Sequence, residues 1–412
     1  MDGVYILDEN FENALYMDVF ESLIWTVRYQ EVGEFELYTP FTQGLLDLIK
    51  VGRYVYTNEF FDEESNTAYL MIIESIELDD QHLKITGGDL KTLLKRRIVW
   101  GQTVIDEKKT VSGQEVDNTV QDAIEKLVTE AFIDPVEPAD WENPFTHETE
   151  DNSQQRANRV IPNFQFDRVG TDDDWGKIEE KIQYEGNLVL DAINDLCKKF
   201  NVGYEIVYNF DDPSDNPDGR KFHMHLIQPV DHSWDQTDAP AVIFSPEFDN
   251  LKKSNYIESL DKYKNVAYVV GESYTDDEIE KYRKKVIQGD AEGLDRRELY
   301  VDANDLHRTL DDGTVYNFDQ YADMLRERGE TELGKEENSF TKVYDGEADT
   351  EAMTDYQFGV DYKIGDTVEL ITRYGESAEV RVTEMVLSAS TSGITLIPTF
   401  KATRYEKEEA NE

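Results

Sequence analysis

Apolar and polar residues alternate near the start of the chain in the pattern of a half-buried strand. The apolar side chains fall on every second position from Leu23 to Tyr29, and Val32 and Gly33 then predict a turn into a returning strand over Phe35 to Tyr38. Further strands are predicted at Tyr54 to Tyr56, Ala68 to Leu78 and Leu83 to Thr86, followed by a short helix capped by Asp89. These elements predict a small β-barrel over about the first hundred residues.

The middle of the chain mixes helices with strands. Pro135, Pro138 and Pro144 lie in an acidic stretch that predicts a long loop, and the proline in Ile161 to Phe166 favours extended backbone. Periodicity predicts helices near Thr119 to Phe132 and Asn187 to Phe200, and strands over Gly203 to Phe210 and Lys221 to Gln228.

Strand patterns return after Ala241. Tyr263 to Glu272 predicts a strand ended by Gly271, and Thr275 with Glu278 has the spacing of a capping box for a charged helix that reaches about Val286. The remaining predictions are a strand at Arg296 to Ala303, a helix at Tyr321 to Leu333, strands at Thr367 to Thr372, Ala378 to Leu387 and Ile394 to Phe400, turns at Gly375 and Gly393, and a polar tail.

A weak internal similarity links the two strand-rich regions. Val51 to Val55 has the pattern of Ile364 to Val368, and each segment precedes a long apolar strand and a hairpin. Duplication and coincidence of strand chemistry both explain so short a match. Duplication in a three-fold homo-oligomer gives six similar units in one ring.

Length and charge narrow the class of protein. The 412 residues are enough for several domains, and 23 Tyr, 19 Phe and 5 Trp supply core side chains that a disordered acidic chain lacks. The net charge of -48 excludes nucleic-acid binding and stable binding to anionic membranes as functions. A solvated surface, adaptation to high salt and a repulsive wall facing a polyanion all remain open explanations.

Neither disulfides nor export signals are indicated. The single cysteine, Cys197, lies on the apolar face of a predicted helix, which indicates a buried thiol. The first residues carry Asp2, Asp8 and Glu9 instead of a basic, then apolar, secretory signal, and no apolar run has transmembrane length. We expect synthesis in the cytoplasm.

Candidate chemical sites are few. Gly329, Gly334 and Lys335 fit part of a phosphate-binding loop, but Glu336 stands where Ser or Thr is needed. His223 and His225 lie two apart on a predicted strand and supply half a metal site at most. The runs DDPSDNPDG and TDDDWG resemble calcium loops in composition but lack their spacing. We therefore expect no enzyme, and no catalytic, cofactor or metal residue; interface residues stay unassigned.

Several blocks of sequence, in order along the chain, carry a family resemblance. They are the opening, the segments Leu93 to Thr103, Ile161 to Phe166, Val242 to Tyr256, Tyr263 to Glu272, Gly293 to Ala303 and Tyr362 to Leu370, and the C-terminal strands. These blocks resemble the siphovirus tail-hub proteins, the tail-associated family related to the baseplate hub of contractile phages. The resemblance covers nearly the whole chain.

The resemblance implies an α+β, β-rich fold with two related small β-barrel tube domains and α+β insertions between them. Expected domains are 1–104 (first barrel), 105–240 (α+β with an acidic loop), 241–272 with 355–405 (second barrel), 273–354 (insertion) and 406–412 (tail). It further implies a homotrimeric, pseudo-six-fold hub that is synthesised in the host bacterial cytoplasm and lies in the virion, at the tail tip. The hub is expected beneath the distal tail protein ring and beside other tail-tip or receptor-binding proteins. We expect the tape measure protein, as a partner, and DNA, without specific binding, to pass through such a hub.

Two expectations qualify this resemblance. Many relatives carry a C-terminal peptidase, lysin or receptor-binding module, whereas this sequence ends about a dozen residues after Phe400, so we expect those activities to belong to other tail proteins. The competing class is a receptor- or carbohydrate-binding tail protein without a hub role, which Trp141, Trp175 and Trp234 in polar loops motivate.

Overall fold

The protein forms two compact units. A computed structural model describes residues 3–8, 10–42, 44–79, 81–100, 103–135, 153–251, 253–276, 279–310, 313–335, 338–347, 356–372, 377–391 and 393–402. Unit 1 comprises residues 1–92, 203–258 and 342–412, and unit 2 comprises 93–202 and 259–341. Both strand-rich regions predicted from the sequence lie in unit 1; the five-segment division of the sequence remains a prediction.

Strands dominate the secondary structure. The first thirteen are β1 Val4–Leu7, β2 Asn13–Met17, β3 Ser22–Arg28, β4 Glu34–Pro40, β5 Tyr54–Thr57, β6 Phe61–Asp62, β7 Thr67–Ala68, β8 Met71–Leu78, β9 His82–Asp89, β10 Thr103–Ile105, β11 Lys108–Val111, β12 Gln114–Asp117 and β13 Phe164–Phe166. The others are β14 Ile182–Tyr184, β15 Gly203–Asn209, β16 Phe222–Ile227, β17 Asp231–His232, β18 Ile243–Phe244, β19 Lys253–Ser259, β20 Val266–Asp276, β21 Ile279–Gln288, β22 Glu298–Ala303, β23 Thr341–Glu347, β24 Thr367–Ile371, β25 Ser377–Ser390 and β26 Gly393–Ala402.

Helices are fewer and mostly belong to unit 2. The α-helices are α1 Leu45–Leu48, α2 Val120–Val128, α3 Ser153–Arg159, α4 Val189–Phe200 and α5 Phe318–Gly334. A π-helical turn, Thr129–Ile133, extends α2. Short 3-10 helices lie at Asn58–Phe60, Leu90–Arg96, Asp172–Asp174, Pro246–Phe248 and Gly293–Asp295. The predicted helices near residues 119, 187 and 321 are confirmed, and the one after Asp89 is a 3-10 helix.

Unit 1 is built on one 14-stranded sheet. Its strand order is β19-β23-β26-β25-β3-β4-β9-β8-β5-β1-β2, with β24 beside β25, and with β17 and β18 parallel to β24. Leu23, Trp25 and Val27 of β3 are at most 3% exposed, as the alternating pattern predicts, and join one core with side chains from both strand-rich regions. The β-rich class is confirmed. In the described residues the two regions share this sheet, and neither closes into a barrel.

Unit 2 combines helices with small sheets. Thr119 caps α2 by accepting a hydrogen bond from the Asp122 backbone N–H, while the Asp122 carboxylate accepts one from the Thr119 N–H, and this capping box fixes where the helix begins. In a three-stranded sheet, β20 lies between antiparallel β21 and parallel β22. Buried side chains of this sheet pack with Tyr321, Ala322 and Leu325 of α5.

The predicted helix after Gly271 is wrong, because β20 continues through this glycine to Asp276 and returns as β21. The capping-box spacing of Thr275 and Glu278 is a local signal, and strand pairing along β20 outweighs it. Gly271 serves packing: a Cβ there would lie 2.3 Å from the Tyr321 hydroxyl oxygen. The glycine admits a tyrosine of α5 and does not end the strand.

Candidate subunit interface

The weak sequence match between residues 51–55 and 364–368 is also a match in structure. Gly52 and Gly365 have φ values of +87° and +96°, which favour glycine. The Gly52 N–H donates to the Ile73 carbonyl at 2.8 Å, and the Gly365 N–H donates to that of Val382 at 2.8 Å. In return, the Ile73 N–H donates to the Arg53 carbonyl and the Val382 N–H donates to the Asp366 carbonyl, each at 2.9 Å.

A β-bulge follows this motif at the same place in both regions. The register of β8 against β9 shifts between Ile73 and Ser75, and that of β25 against β26 shifts between Val382 and Glu384. Bulges bend a strand and are specific features of a fold. Two matching bulges after two matching glycine motifs support duplication over coincidence.

Strand order repeats as well. In the first repeat, β3, β4, β5, β8 and β9 follow one another along the chain and lie in the order β3-β4-β9-β8-β5. In the second repeat, β19, β23, β24, β25 and β26 lie in the corresponding order β19-β23-β26-β25-β24. Ten of the fourteen strands in the sheet of unit 1 therefore form two copies of one five-stranded arrangement.

The two repeats meet where β25, the fourth strand of the second repeat, pairs with β3, the first strand of the first repeat. This junction joins β25 to β3 in antiparallel register, from Glu384 opposite Arg28 to Ser390 opposite Ser22. The Arg28 side chain donates to the Glu384 carboxylate at 2.5 Å and to that of Glu34 at 2.7 Å. The Tyr29 N–H extends the pairing by donating to the Thr383 carbonyl at 2.8 Å.

In the repeats, β8 corresponds to β25 and β19 corresponds to β3. Both β8 and β19 have open edges in the part of the chain described. On its outer side β8 pairs with β5 only at Met71 and Ile72, so its edge is free from Ser75 to Leu78. The first strand of the second repeat, β19, pairs with β23 alone. Leu78 and Ile257 on these edges are 49% and 51% exposed. Open strand edges are templates for pairing with another chain.

The backbone of β8 is poised to accept a strand. In the hairpin after β8, the Asp79 N–H donates to the His82 carbonyl at 3.1 Å. Successive N–H groups of a strand point to opposite edges, so Glu77 turns its N–H toward β9. Ile76 and Leu78 turn theirs toward the open edge, beyond the reach of β9.

The two histidines of the sequence analysis have separate partners. His223 lies opposite Val207 and hydrogen-bonds the Asp218 carbonyl at 2.8 Å, whereas His225 lies opposite Glu205 and hydrogen-bonds its carboxylate at 2.7 Å. Across the described residues, no three histidine, cysteine or acidic side chains are grouped so that they could hold a metal ion.

The phosphate-loop fragment and the acidic runs belong to ordinary structural features. Gly329 and Gly334 lie in α5, Lys335 is the C-cap residue that follows it, and the Lys335 ammonium donates to the Glu332 carboxylate at 2.9 Å. In the run Asp211–Gly219 the Asp212 carboxylate accepts from the Ser214 N–H at 2.8 Å. Residues 172–174 form a 3-10 helix capped by Thr171.

Cys197 and the tryptophans differ in exposure. The Cys197 thiol is buried in α4, as predicted. Trp175 is 6% exposed and donates its indole N–H to the Val169 carbonyl at 3.0 Å, so it packs locally. Trp234 is 68% exposed. Trp141, Pro138, Pro144 and Gly375 lie outside the described residues.

The family is shown by a match over almost the whole chain. The profile of the family described as Siphovirus ReqiPepy6 Gp37-like protein matches residues 3–400. The chain belongs to this siphovirus family. No curated protein matches the sequence, and within the described residues no helix has the length and apolar character needed to cross a membrane.

The chain is similar to solved structures of phage tail proteins, and the first of those given next shares its fold. The 43 kDa tail protein of prophage MuSo2 from Shewanella oneidensis is 13% identical, with a TM-score of 0.51, over 97% of this chain and 98% of that one. The tail protein of Neisseria meningitidis MC58 is 13% identical with a TM-score of 0.48, over 97% of this chain and 96% of that one. Prophage tail protein gp18 of Listeria monocytogenes EGD-e is 12% identical with a TM-score of 0.46, over 98% and 95%.

Proposed function

We propose that the chain is a non-enzymatic structural subunit of a phage tail-tip hub, in which three copies join through their open edges into a ring. The observation that carries this is the β25–β3 junction, because each of the equivalent strands, β8 and β19, keeps one open edge in the described part of one chain. The β8 edge of one copy then pairs with the β19 edge of the next.

Such a contact is head-to-tail, because each copy offers two different edges. Head-to-tail contacts build rings where the rotation between copies closes, and filaments where it does not. With two similar repeats per chain, three copies form six similar units around one axis. A trimeric tip could then dock on a six-fold tail tube.

In this proposal the ring lies in the virion beneath the distal tail protein and contacts other tail-tip proteins. Tape measure protein and DNA pass through its bore during ejection. With 89 acidic against 41 basic residues, carboxylates lining the bore would repel DNA and prevent sticking. The Debye length at physiological salt is about 8 Å, so only the lining itself acts on the duplex.

The ring is tested by the mass of the purified protein in solution, measured by light scattering with and without the distal tail protein. We expect the mass of three copies, alone or with that partner. Leu78→Pro removes an N–H that points to the open edge of β8, and we expect this variant to have the mass of one copy.

Leu78→Ala is the matched control, because it removes the same side chain but keeps the N–H group. We expect Leu78→Ala to assemble like the unmodified protein. Neither substitution should change the thermal midpoint at which a single copy unfolds. A protein that stays monomeric at every concentration with its partner present would overturn the ring.

The alternative is a receptor- or carbohydrate-binding tail protein without a hub role, which the 68% exposure of Trp234 favours. Binding of the full chain to a glycan array, lost in Trp234→Ala, together with a monomeric mass, would establish this alternative. A trimer that binds no glycan would exclude it.

A further inference from the structure

A cleft lies beside the β24–β25 hairpin of the second repeat. Strands β17 and β18 run parallel to β24; Trp234 follows β17, and Phe248 follows β18 in a 3-10 helix. Together with Ile371 and other hairpin residues these two aromatic side chains line a cleft of about 610 Å³. We call it the Trp234 cleft.

The aromatic wall of the Trp234 cleft is open to solvent. Trp234 is 68% exposed and Phe248 is 52% exposed, although large aromatic side chains stabilise a fold only where they are buried. Single exposed apolar residues are ordinary, whereas a concave pair of them is typical of a binding surface.

Carboxylates form the opposite wall. Glu369 of β24 and Glu379 of β25 are directly opposite each other in the antiparallel register, where like charges destabilise a sheet. Glu369 is 9% exposed, and one of its oxygens accepts a hydrogen bond from the Ser377 hydroxyl. Burial raises the pKa of Glu369, a hydrogen bond from the Trp234 backbone N–H opposes this rise, and the charges of Glu379, Asp235 and Asp231 add to it, so the pKa lies above its ordinary value. Asp235 also lines the cleft, and no lysine, arginine or histidine does among the described residues.

We propose that the Trp234 cleft binds an arginine-bearing segment of another protein, with the guanidinium held by Glu379 and Glu369 and stacked on the Trp234 ring. A planar guanidinium can bridge two carboxylates by several hydrogen bonds at once. It also stacks on tryptophan, the aromatic ring that attracts cations most strongly. The cleft belongs to a single chain, so this binding does not depend on ring closure.

The test uses the full chain at 150 mM salt and the amidated, acetylated hexapeptide of alternating leucine and arginine as probe, with isothermal titration calorimetry. We expect one site per chain and quenching of tryptophan fluorescence. Trp234→Ala and Glu379→Gln each weaken binding at least ten-fold, and a peptide with glutamate in place of arginine does not bind.

Matched controls separate this site from the general acidity of the chain. Leu294→Ala removes another exposed apolar side chain and Glu292→Gln another exposed carboxylate, and both should leave the affinity unchanged. Thermal midpoints of all variants show whether they fold. The proposal would be overturned if Glu379→Gln and Glu292→Gln weakened peptide binding equally. It would also be overturned if the cleft bound an oligosaccharide instead of the peptide.

Discussion

The ring of Tyr29 lies against the backbone of Gly365, so closely that a Cβ on this glycine would be 2.7 Å from a ring carbon. The same tyrosine hydroxyl accepts a hydrogen bond from Arg381 at 3.1 Å. Tyr29 follows the last residue of β3 and Gly365 precedes β24, so this contact ties the first repeat to the second.

Gly365→Ala should destabilise the protein more than Gly52→Ala does. Both glycines have positive φ, so each substitution costs roughly 1–2 kcal/mol of backbone strain. A Cβ on Gly52 meets nothing within 4 Å, whereas one on Gly365 adds an overpacking cost of about 1–3 kcal/mol. Chemical denaturation of both variants checks this, and equal losses would contradict the close contact with Tyr29.

Arg28 and Glu384 should be energetically coupled across the repeat junction. Their side chains are each 26% exposed, and charge-assisted hydrogen bonds contribute about 1.5–3 kcal/mol where water is partly excluded. A double-mutant cycle with Arg28→Met and Glu384→Gln should give a coupling of about 1–2 kcal/mol. The more exposed pair Lys84 and Glu36 serves as the control and should give below about 1 kcal/mol.

Tyr321→Phe should destabilise unit 2 although it removes one oxygen atom only. The Tyr321 hydroxyl accepts from the Glu272 N–H at 2.9 Å and donates to the Leu306 carbonyl at 2.8 Å. Loss of both bonds leaves buried polar groups unpaired, at a cost of about 1–3 kcal/mol. Thermal unfolding measures this loss. Tyr300→Phe, at a tyrosine that is 64% exposed, should leave the midpoint unchanged.

His307 should make the stability of unit 2 depend on pH. Partial burial lowers the pKa of His307, but the hydrogen bond to Glu272 at 2.8 Å and the charges of Glu272, Glu185 and Asp305 outweigh it, so the pKa lies above its ordinary value of 6.5. A raised folded-state pKa stabilises the fold fully below pH 6.5, and this contribution is lost as pH rises through the folded-state pKa.

His307→Gln provides the comparison, because the whole acidic chain also responds to pH. The difference in thermal midpoint between the parent protein and His307→Gln should be largest near pH 6 and should shrink toward pH 9. A difference that grows with pH would show that His307 acts in its neutral form.

The sequence predicts the elements of the fold better than their partners. Leu23 to Tyr29 alternates cleanly because one face of β3 is buried, and local pattern is enough there. The signal at Thr275 and Glu278 failed because pairing along β20 is a tertiary effect that a local motif does not contain. Gly52 and Gly365 hinted at the duplication. The open edges of β8 and β19 follow only from strand order, since an edge strand and a paired strand have the same side-chain period.

The two repeats differ in how their first two strands are connected. In the first repeat, residues 29–33 join β3 to β4 in a tight turn, whereas in the second, residues 260–340 join β19 to β23. Because neighbouring strands lie about 4.8 Å apart, this long segment leaves and re-enters the sheet at nearly the same point. Together with residues 93–202 this segment forms unit 2, so its length can change while the pairing of β19 with β23 stays as it is.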